Sequence, residues 1–298
     1  VGEERRAQRD ASRDHAITTL RAHGIRTLAD AGVPTPEADA ELLLAHALGL
    51  SRGQVQAKAV TGSAVTDDER DGYLALVARR AAREPLQHLT GVAPFRSLEL
   101  AVGPGVFVPR PETESVAQLA IDALLAVPSA RPLAVDLGTG SGAIALALAT
   151  EVPHAAVVAV ERSPEAHAWA QRNIRSSGAD NIRLVLGDLA DALPELDGTV
   201  DVVVSNPPYV PDEAVPRDVE VRLHDPAAAL YGGPDGLDVV RVLSRRALAL
   251  LRPGGALVIE HGELQGAELR ALLTADGWRA AATHRDLLGR DRATTALR

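Results

Sequence analysis

Cysteine is absent from the 298 residues, which excludes disulfides, thiolate metal sites and cysteine nucleophiles. Methionine is absent as well, lysine occurs once, at Lys58, and the aromatics amount to two Trp, three Tyr and two Phe. Arg, Ala, Gly and Val take their places, a bias that reads as base composition of the source rather than as function. There is no basic surplus: 31 Lys and Arg face 40 Asp and Glu, a formal charge of -9. A protein gripping duplex nucleic acid by its phosphates would carry the opposite balance. No stretch reaches the roughly 18 consecutive apolar residues of a membrane helix. The first ten residues, VGEERRAQRD, contain no apolar segment, so no signal peptide is expected and the expected location is cytoplasmic. What is present, 46% hydrophobic and 24% charged residues, suffices for a core in one large domain or two.

Residues 11–85 read as helical. Thr35-Pro36-Glu37 places a cap and a proline at a helix start, and Thr66-Asp67-Asp68-Glu69 fits a capping box. The segment 49–65 reads as a helix end followed by a loop. This front piece, residues 1–90, has 12 basic and 13 acidic side chains and is expected to be a small helical domain. Over 91–111, Phe95, Leu98 and Leu100, then Val102, Val106 and Val108, flank Gly103-Pro104-Gly105, a pattern that predicts a β-hairpin connector around a Gly-Pro turn. Residues 112–298 form the third part. A helix over about 112–126 leads into apolar strands at 133–137, 156–161, 182–186, 200–205 and 256–260, with helical stretches between them and Arg252-Pro253-Gly254-Gly255 as a turn before the last. Such strands need both sheet faces covered, which makes an α/β sandwich. Two final strands, near 278–285 and 292–297, are joined by only Asp286 to Asp291. That is too little chain for a crossover helix, so they must be antiparallel.

Two motifs carry chemistry. Asp136-Leu137-Gly138-Thr139-Gly140-Ser141-Gly142 sits where the first apolar strand gives way to a helix, the place for a tight turn and close approach of a nucleotide-like ligand. Glu161 closes the next strand, where a carboxylate can accept both hydroxyls of a ribose. Gly138, Gly140 and Ala143 also satisfy a dinucleotide fingerprint. Asp136 tips the choice: a carboxylate under the loop repels a pyrophosphate but pairs with the ammonium of an amino-acid-bearing nucleoside. The second motif, Ser205-Asn206-Pro207-Pro208-Tyr209-Val210, follows the fourth strand. Asn206 offers an amide acceptor and donor, Pro207 a backbone carbonyl on a fixed φ, and Tyr209 a flat face. That set suits a planar –NH2. The nine histidines show no zinc-ligand spacing, so no metal is expected; His261 at a strand end is either a supporting residue or a satisfied polar one.

With these motifs on one chain, the sequence resembles the class I S-adenosylmethionine-dependent methyltransferases. More closely it resembles the HemK/PrmC family, protein-(glutamine-N5) methyltransferases acting on peptide chain release factors. The resemblance runs through Gln87-His88-Leu89-Thr90-Gly91, Phe107-Val108-Pro109-Arg110-Pro111-Glu112-Thr113-Glu114, the glycine loop, Asn206 to Tyr209, Glu260-His261-Gly262 and Gly289-Arg290-Asp291-Arg292. It implies a Rossmann-like three-layer sandwich whose seven-stranded sheet ends in an antiparallel pair, plus a small N-terminal helical domain that helps dock the release factor. It also implies S-adenosyl-L-methionine as cofactor, S-adenosyl-L-homocysteine as product, and as substrate the glutamine of the release factor's Gly-Gly-Gln loop. Asp136, Gly138 and Gly140 would frame the methionine end of the cofactor, Glu161 its ribose and Asp188 its adenine edge, with Thr139, Gly142 and Asn206 completing the contacts. Asn206 and the Pro207 carbonyl would hold the glutamine amide, Pro208 and Tyr209 would flank it, and Phe107, Arg110, Pro111 and Glu112 would line the approach. The chain departs from the family at Ser97 and Ala293, where relatives commonly carry an aromatic, and at Leu189, where an adenine-flanking aromatic is usual.

A nucleic-acid exocyclic-amine methyltransferase is the nearest rival, since the amine of adenine or guanine is also planar. It would need a basic track or a base-extruding module, and neither is seen. A non-catalytic release-factor binder would show damage at Asp136, Glu161 or Asn206, and a nicotinamide oxidoreductase would need a proton relay by the glycine loop. The expected protein is a monomer that binds neither nucleic acid stably nor membrane.

Overall fold

Apolar residues alternate along the central strands, and the two alternating sets face opposite ways. Ala134, Val157, Ala159, Val202, Val204 and Val258 enter one core cluster, while Val135, Leu137, Val158, Val160, Val203, Leu257 and Ile259 enter another. A period of two with both sets buried requires helices on both sheet faces. The computed structural model, which describes residues 15–298, has that architecture. The chain divides into two compact units: one runs to Gly91 and includes Asp218–His224, the other comprises Val92–Arg217 and Asp225–Arg298. The expected leader-free first ten residues and the helical reading of 11–14 lie outside the described residues.

The first unit contains α1 (Ile17–Asp30), α2 (Pro36–Leu48), α3 (Arg52–Val60), α4 (Asp67–Ala81) and α5 (Leu86–Thr90). Its core gathers Ile17, Leu20, Leu28, Leu43, Leu44, Val55, Tyr73 and Val77. The Thr66 capping box forms as expected, with Glu69 N donating to the Thr66 hydroxyl and Thr66 N to the Glu69 carboxylate. Thr35 precedes Pro36 at the start of α2, yet its hydroxyl donates to Asp39 Oδ1 rather than capping the backbone. The segment 49–65 is not a plain loop. Ser51 and Gln54 make a second capping box that starts α3, a signal the polar run hides because only Val55 of α3 is buried.

In the second unit, β1 (Val92–Phe95) pairs antiparallel with β2 (Leu98–Ala101). The hairpin turn is therefore at Arg96-Ser97, not at Gly103-Pro104-Gly105 as expected. Arg96 takes φ +53° there, held by its N–H on Glu114 and its guanidinium on Glu151. Val102, Val106 and Val108 are buried with Ala93 and Ala166 without forming a further strand. After α6 (Thr113–Leu125) comes a seven-stranded sheet of β3 (Leu133–Leu137), β4 (Ala156–Glu161), β5 (Ile182–Leu186), β6 (Val200–Ser205), β7 (Leu251–Glu260), β8 (Arg279–Arg285) and β9 (Asp291–Leu297). Its order is β5-β4-β3-β6-β7-β9-β8. The first five strands are parallel, and β9 is antiparallel to both β7 and β8, as the short Asp286 to Asp291 link demands. The expected turn at 252–255 is instead a bulge within β7, whose register with β6 jumps from Val200↔Leu251 to Val202↔Ala256.

The intervening helices are α7 (Ala143–Glu151), α8 (Pro164–Ser177), α9 (Val219–His224), α10 (Ala227–Leu230), α11 (Asp238–Leu250) and α12 (Gly266–Ala275). Residues of α6 and α7 cover one sheet face, and those of α11 and α12 the other, completing the three layers. The division at 112–298 put α9 with the methyltransferase part. In the structure this helix belongs to the first unit, where Glu220 accepts from Arg80 and Arg83 at 2.7 Å each.

Candidate active site

Strand order reverses beside β3, with β4 on one side and β6 on the other. The carboxyl ends of these strands form the crevice that an open parallel sheet offers a ligand. The glycine loop leaves β3 there. Gly138 and Gly140 adopt φ +77° and +58°, and a Cβ on either would project into open space above the loop. Below it, Asp136 is 1% exposed, and one of its oxygens, Oδ2, accepts from the Thr139 hydroxyl at 2.6 Å and from Ala145 N at 3.1 Å. The other, Oδ1, is buried without a hydrogen-bond partner. Burial pushes the Asp136 carboxyl up to about 7, the Thr139 and Ala145 hydrogen bonds oppose the rise, and the Glu161 charge adds to it. An orphaned carboxylate oxygen under an open loop is a seat for a cationic donor.

Glu161, at the end of β4, accepts from Gly140 N through Oε2 and from Ser163 N through Oε1, both at 2.8 Å. The carboxylate therefore shapes the loop, and each oxygen keeps a second lone pair for a ligand hydroxyl. Gly142 caps α7 with φ +88°. Asp188 lies just beyond β5, exposed, its Oδ1 accepting from Ala190 N, while Gly187 N donates to the Glu161 carbonyl. Asp136, Gly138, Thr139, Gly140, Gly142, Glu161 and Asp188 thus share the edge formed by the ends of β3, β4 and β5.

The second motif is bolted to the first. Ser205, wholly buried at the end of β6, donates to the Leu137 carbonyl at 2.6 Å, the residue just before Gly138. Asn206 follows half-buried, with Pro207 buried and Pro208 and Tyr209 half-buried. The Tyr209 carbonyl accepts from Gln265 Nε2 at 3.0 Å. Gly236 (φ +76°) passes so close to that carbonyl that a Cβ there would collide with it. Asn206 Nδ2 donates to the Thr113 hydroxyl at 3.4 Å, and the Tyr209 hydroxyl donates to Glu260 Oε1 at 3.4 Å. Among the described residues Asn206 Oδ1 is left without a partner, an acceptor that can meet an N–H.

The remaining expected residues sit just ahead of α6. The Arg110 guanidinium lies 5.0 Å from the Phe107 ring centroid and donates to Asp225 at 2.6 Å. Arg110 is thus engaged by both Phe107 and Asp225. Pro111 is exposed, and Glu112 stands at the N-cap position of α6, next to Thr113, without a capping bond from its side chain. Both ring nitrogens of buried His261 are engaged, with the Gly262 carbonyl and the Thr294 hydroxyl, which makes it a satisfied strand-end residue.

Thr113 and Glu260 received no role from the sequence, although both lie in segments that carry the family resemblance. Glu260 is 1% exposed; burial pushes its carboxyl up to about 7, hydrogen bonds from Thr113 and Tyr209 and the Arg292 charge oppose the rise, and Glu112 reinforces it. Burial and the Glu260 charge also push the Tyr209 phenol well above its usual range. The signal that picked out Glu161, an acid closing an apolar strand, is present at Glu260 too.

One end of this crevice invites a cation and the other an N–H, and the sheet order beneath them is that of a class I methyltransferase. Comparison with known proteins narrows the class. Family models described as "PrmC N-terminal domain" and "Methyltransferase small domain" match residues 19–91 and 98–232. A protein of Streptomyces coelicolor named release factor glutamine methyltransferase is 52% identical over 92% of this chain and 95% of its own length. One of the same name from Bifidobacterium longum is 46% identical over 93% and 97%. A Streptomyces pristinaespiralis protein named 4-amino-L-phenylalanine/4-methylamino-L-phenylalanine methyltransferase is 41% identical over 89% and 86%. The chain belongs to the release factor glutamine methyltransferase family.

Proposed function

We propose that this protein transfers a methyl group from S-adenosyl-L-methionine to the side-chain amide nitrogen of the glutamine in the Gly-Gly-Gln loop of peptide chain release factors. The observation that carries the reading is the free acceptor Asn206 Oδ1, held at the end of β6 by a strand end hydrogen-bonded to the glycine loop. The relatives named above support the choice of substrate.

The residues present fit the cofactor. Asp136 Oδ1 would take its ammonium, the Gly138–Gly140 turn its methionine end, the spare Glu161 lone pairs its ribose and Asp188 its adenine edge. When bound, S-adenosyl-L-methionine supplies an electrophilic methyl group. The protein's part is to present the nucleophile. A glutamine amide nitrogen is weak because its lone pair is delocalised into the carbonyl. Asn206 Oδ1 and the Pro207 carbonyl accept its two N–H bonds, which fixes the nitrogen and favours positive charge developing on it. Tyr209 flanks the amide, Phe107 and Arg110 border the approach, and the departing proton goes to water. The helical unit would contribute to recognition of the whole factor. The reading implies a monomeric cytoplasmic enzyme that needs neither a metal nor nucleic acid.

An aryl amine is also a planar –NH2, and the relative named for 4-amino-L-phenylalanine makes it the informative competitor. Labelled S-adenosyl-L-methionine should transfer its methyl to a purified release factor and leave 4-amino-L-phenylalanine and single-stranded DNA unlabelled. Label on either competitor with none on the factor would overturn the proposal.

A further inference from the structure

We infer, on the strength of the methyl-transfer reading proposed above, that Gln265 is a positioning residue: it holds the loop that presents Asn206 Oδ1 and the Pro207 carbonyl to the acceptor nitrogen. Pro207 and Pro208 have no N–H, so half of the segment from Asn206 to Tyr209 can be tied down by no donated backbone bond. The loop depends on what grips its ends. At the near end Ser205 Oγ donates to the Leu137 carbonyl at 2.6 Å. At the far end Val210 N donates to the Leu230 carbonyl at 2.8 Å, and the Tyr209 carbonyl accepts from Gln265.

Gln265 stands at the N-cap position of α12 and is 8% exposed, yet its side chain makes no capping bond to that helix. Its amide goes elsewhere. Nε2 donates to the Tyr209 carbonyl at 3.0 Å and to the Asp235 carbonyl at 3.1 Å, and Oε1 accepts from Gly262 N at 2.9 Å. The partners fix the polarity, since a backbone carbonyl only accepts and a backbone N–H only donates. A half-turn of the amide would set acceptor against acceptor at two carbonyls and donor against donor at Gly262. Two glycines leave room for the arrangement. A Cβ on Gly236 would collide with the Tyr209 oxygen and stand 2.7 Å from Gln265 Nε2, and one on Gly262 would stand 3.0 Å from Gln265 Oε1. The Tyr209 hydroxyl donates to Glu260 Oε1 at 3.4 Å. Both polar ends of Tyr209 are therefore held by one short stretch of chain, residues 260–265, where it leaves β7. Through the Tyr209 carbonyl, Gln265 ties the far end of the acceptor loop to the sheet, as Ser205 ties the near end.

The test uses the full chain and reads single-turnover methylation of a release factor at saturating cofactor, at a temperature where melting curves show every variant folded. Cofactor affinity is measured on the same preparations. Gln265→Met keeps the length of the side chain and removes both polar ends of the amide. Transfer should slow by about 10- to 100-fold, the scale of a displaced reacting group, while cofactor affinity stays as in the wild type. Gln265→Glu keeps the acceptor for Gly262 N but turns a carboxylate oxygen toward two carbonyls, and at alkaline pH it should be at least as slow. As pH falls from about 8 to about 6 the buried carboxyl takes up a proton, and its O–H can donate to one of those carbonyls again. The rate of Gln265→Glu relative to the wild type should therefore rise over that range. If Gln265→Met does not fold, Gln265→Glu carries the test alone. Wild-type rate in Gln265→Met, a loss of rate matched by an equal loss of cofactor affinity, a Gln265→Glu ratio flat with pH, or failure of both variants to fold would each make Gln265 a packing residue and overturn the proposal. Wild-type protein that methylates an amine other than the glutamine amide would overturn only the substrate reading, since the same ratios are then read on that amine.

Discussion

Two carboxylates, Asp136 and Glu161, bracket the glycine loop, and their oxygens are bonded differently. Glu161 is tied to two backbone N–H groups, whereas Asp136 keeps one oxygen bare and is pushed from its ordinary 3.8 up to about 7. The folded protein therefore holds a proton on Asp136 that the unfolded chain releases between about pH 4 and 7. This residue makes stability fall as pH rises through that window. Asp136→Asn should raise the melting temperature of the cofactor-free protein at pH 8 more than at pH 5, checked by calorimetry. The same residue should make cofactor affinity weaken as pH falls below about 7, because the ammonium needs the ionised form; titration calorimetry showing a flat affinity between pH 5.5 and 7.5 would contradict the assignment. Asn206 faces the other reactant. Replacing it with Ala removes a transition-state acceptor, which costs about 2.7–4 kcal/mol, or roughly 100–1000-fold in single-turnover rate. Cofactor affinity should change far less.

Elements with a strong period were legible in the sequence, and those positioned by side chains elsewhere were not. Strands β3, β4 and β6 fall on the residues expected because each is an apolar run needing burial on both faces. The antiparallel end of the sheet followed from the length of one link. The connector hairpin was displaced because its true turn, at Arg96-Ser97, has no glycine or proline; Glu114 and Glu151, far along the chain, hold Arg96 in place. Helix α3 was missed because most of it faces water, so no stripe marks it. Its only clear local signature is the Ser51–Gln54 box. Ser51→Ala should therefore lower stability by about 1 kcal/mol, measured by urea unfolding. In the site, the glycine loop and Asn206 to Tyr209 were legible as motifs. Thr113 and Glu260 were not, since they meet Asn206 and Tyr209 only once α6, β6 and β7 are brought together.

The whole molecule is two units that the chain visits alternately, entering the second at Val92, returning to the first for Asp218–His224 and leaving again at Asp225. Helix α9 is held in the first unit by Glu220, whose carboxyl the Arg83 and Arg80 hydrogen bonds pull down to about 2 against the opposing effect of burial. Arg80 also binds Asp39 at 2.7 Å, so a nearly buried cation joins α2, α4 and α9. Glu220→Gln leaves that cation short of a partner; hydrogen exchange should speed up across Val219–His224 while the strands of the sheet keep their protection. Only nine residues, 210–218, separate Tyr209 from α9, which gives the helical unit a covalent route to the acceptor loop. All of this serves one claim, that the crevice at the ends of β3 and β6 presents a glutamine amide nitrogen to a methyl donor. The direct measurement is fragmentation mass spectrometry of a release factor after incubation with this protein and S-adenosyl-L-methionine. The account predicts a single added methyl on the side-chain nitrogen of the Gly-Gly-Gln glutamine, lost when Asn206 is replaced by Ala. A methyl on any other residue, with that glutamine unmodified, would contradict it.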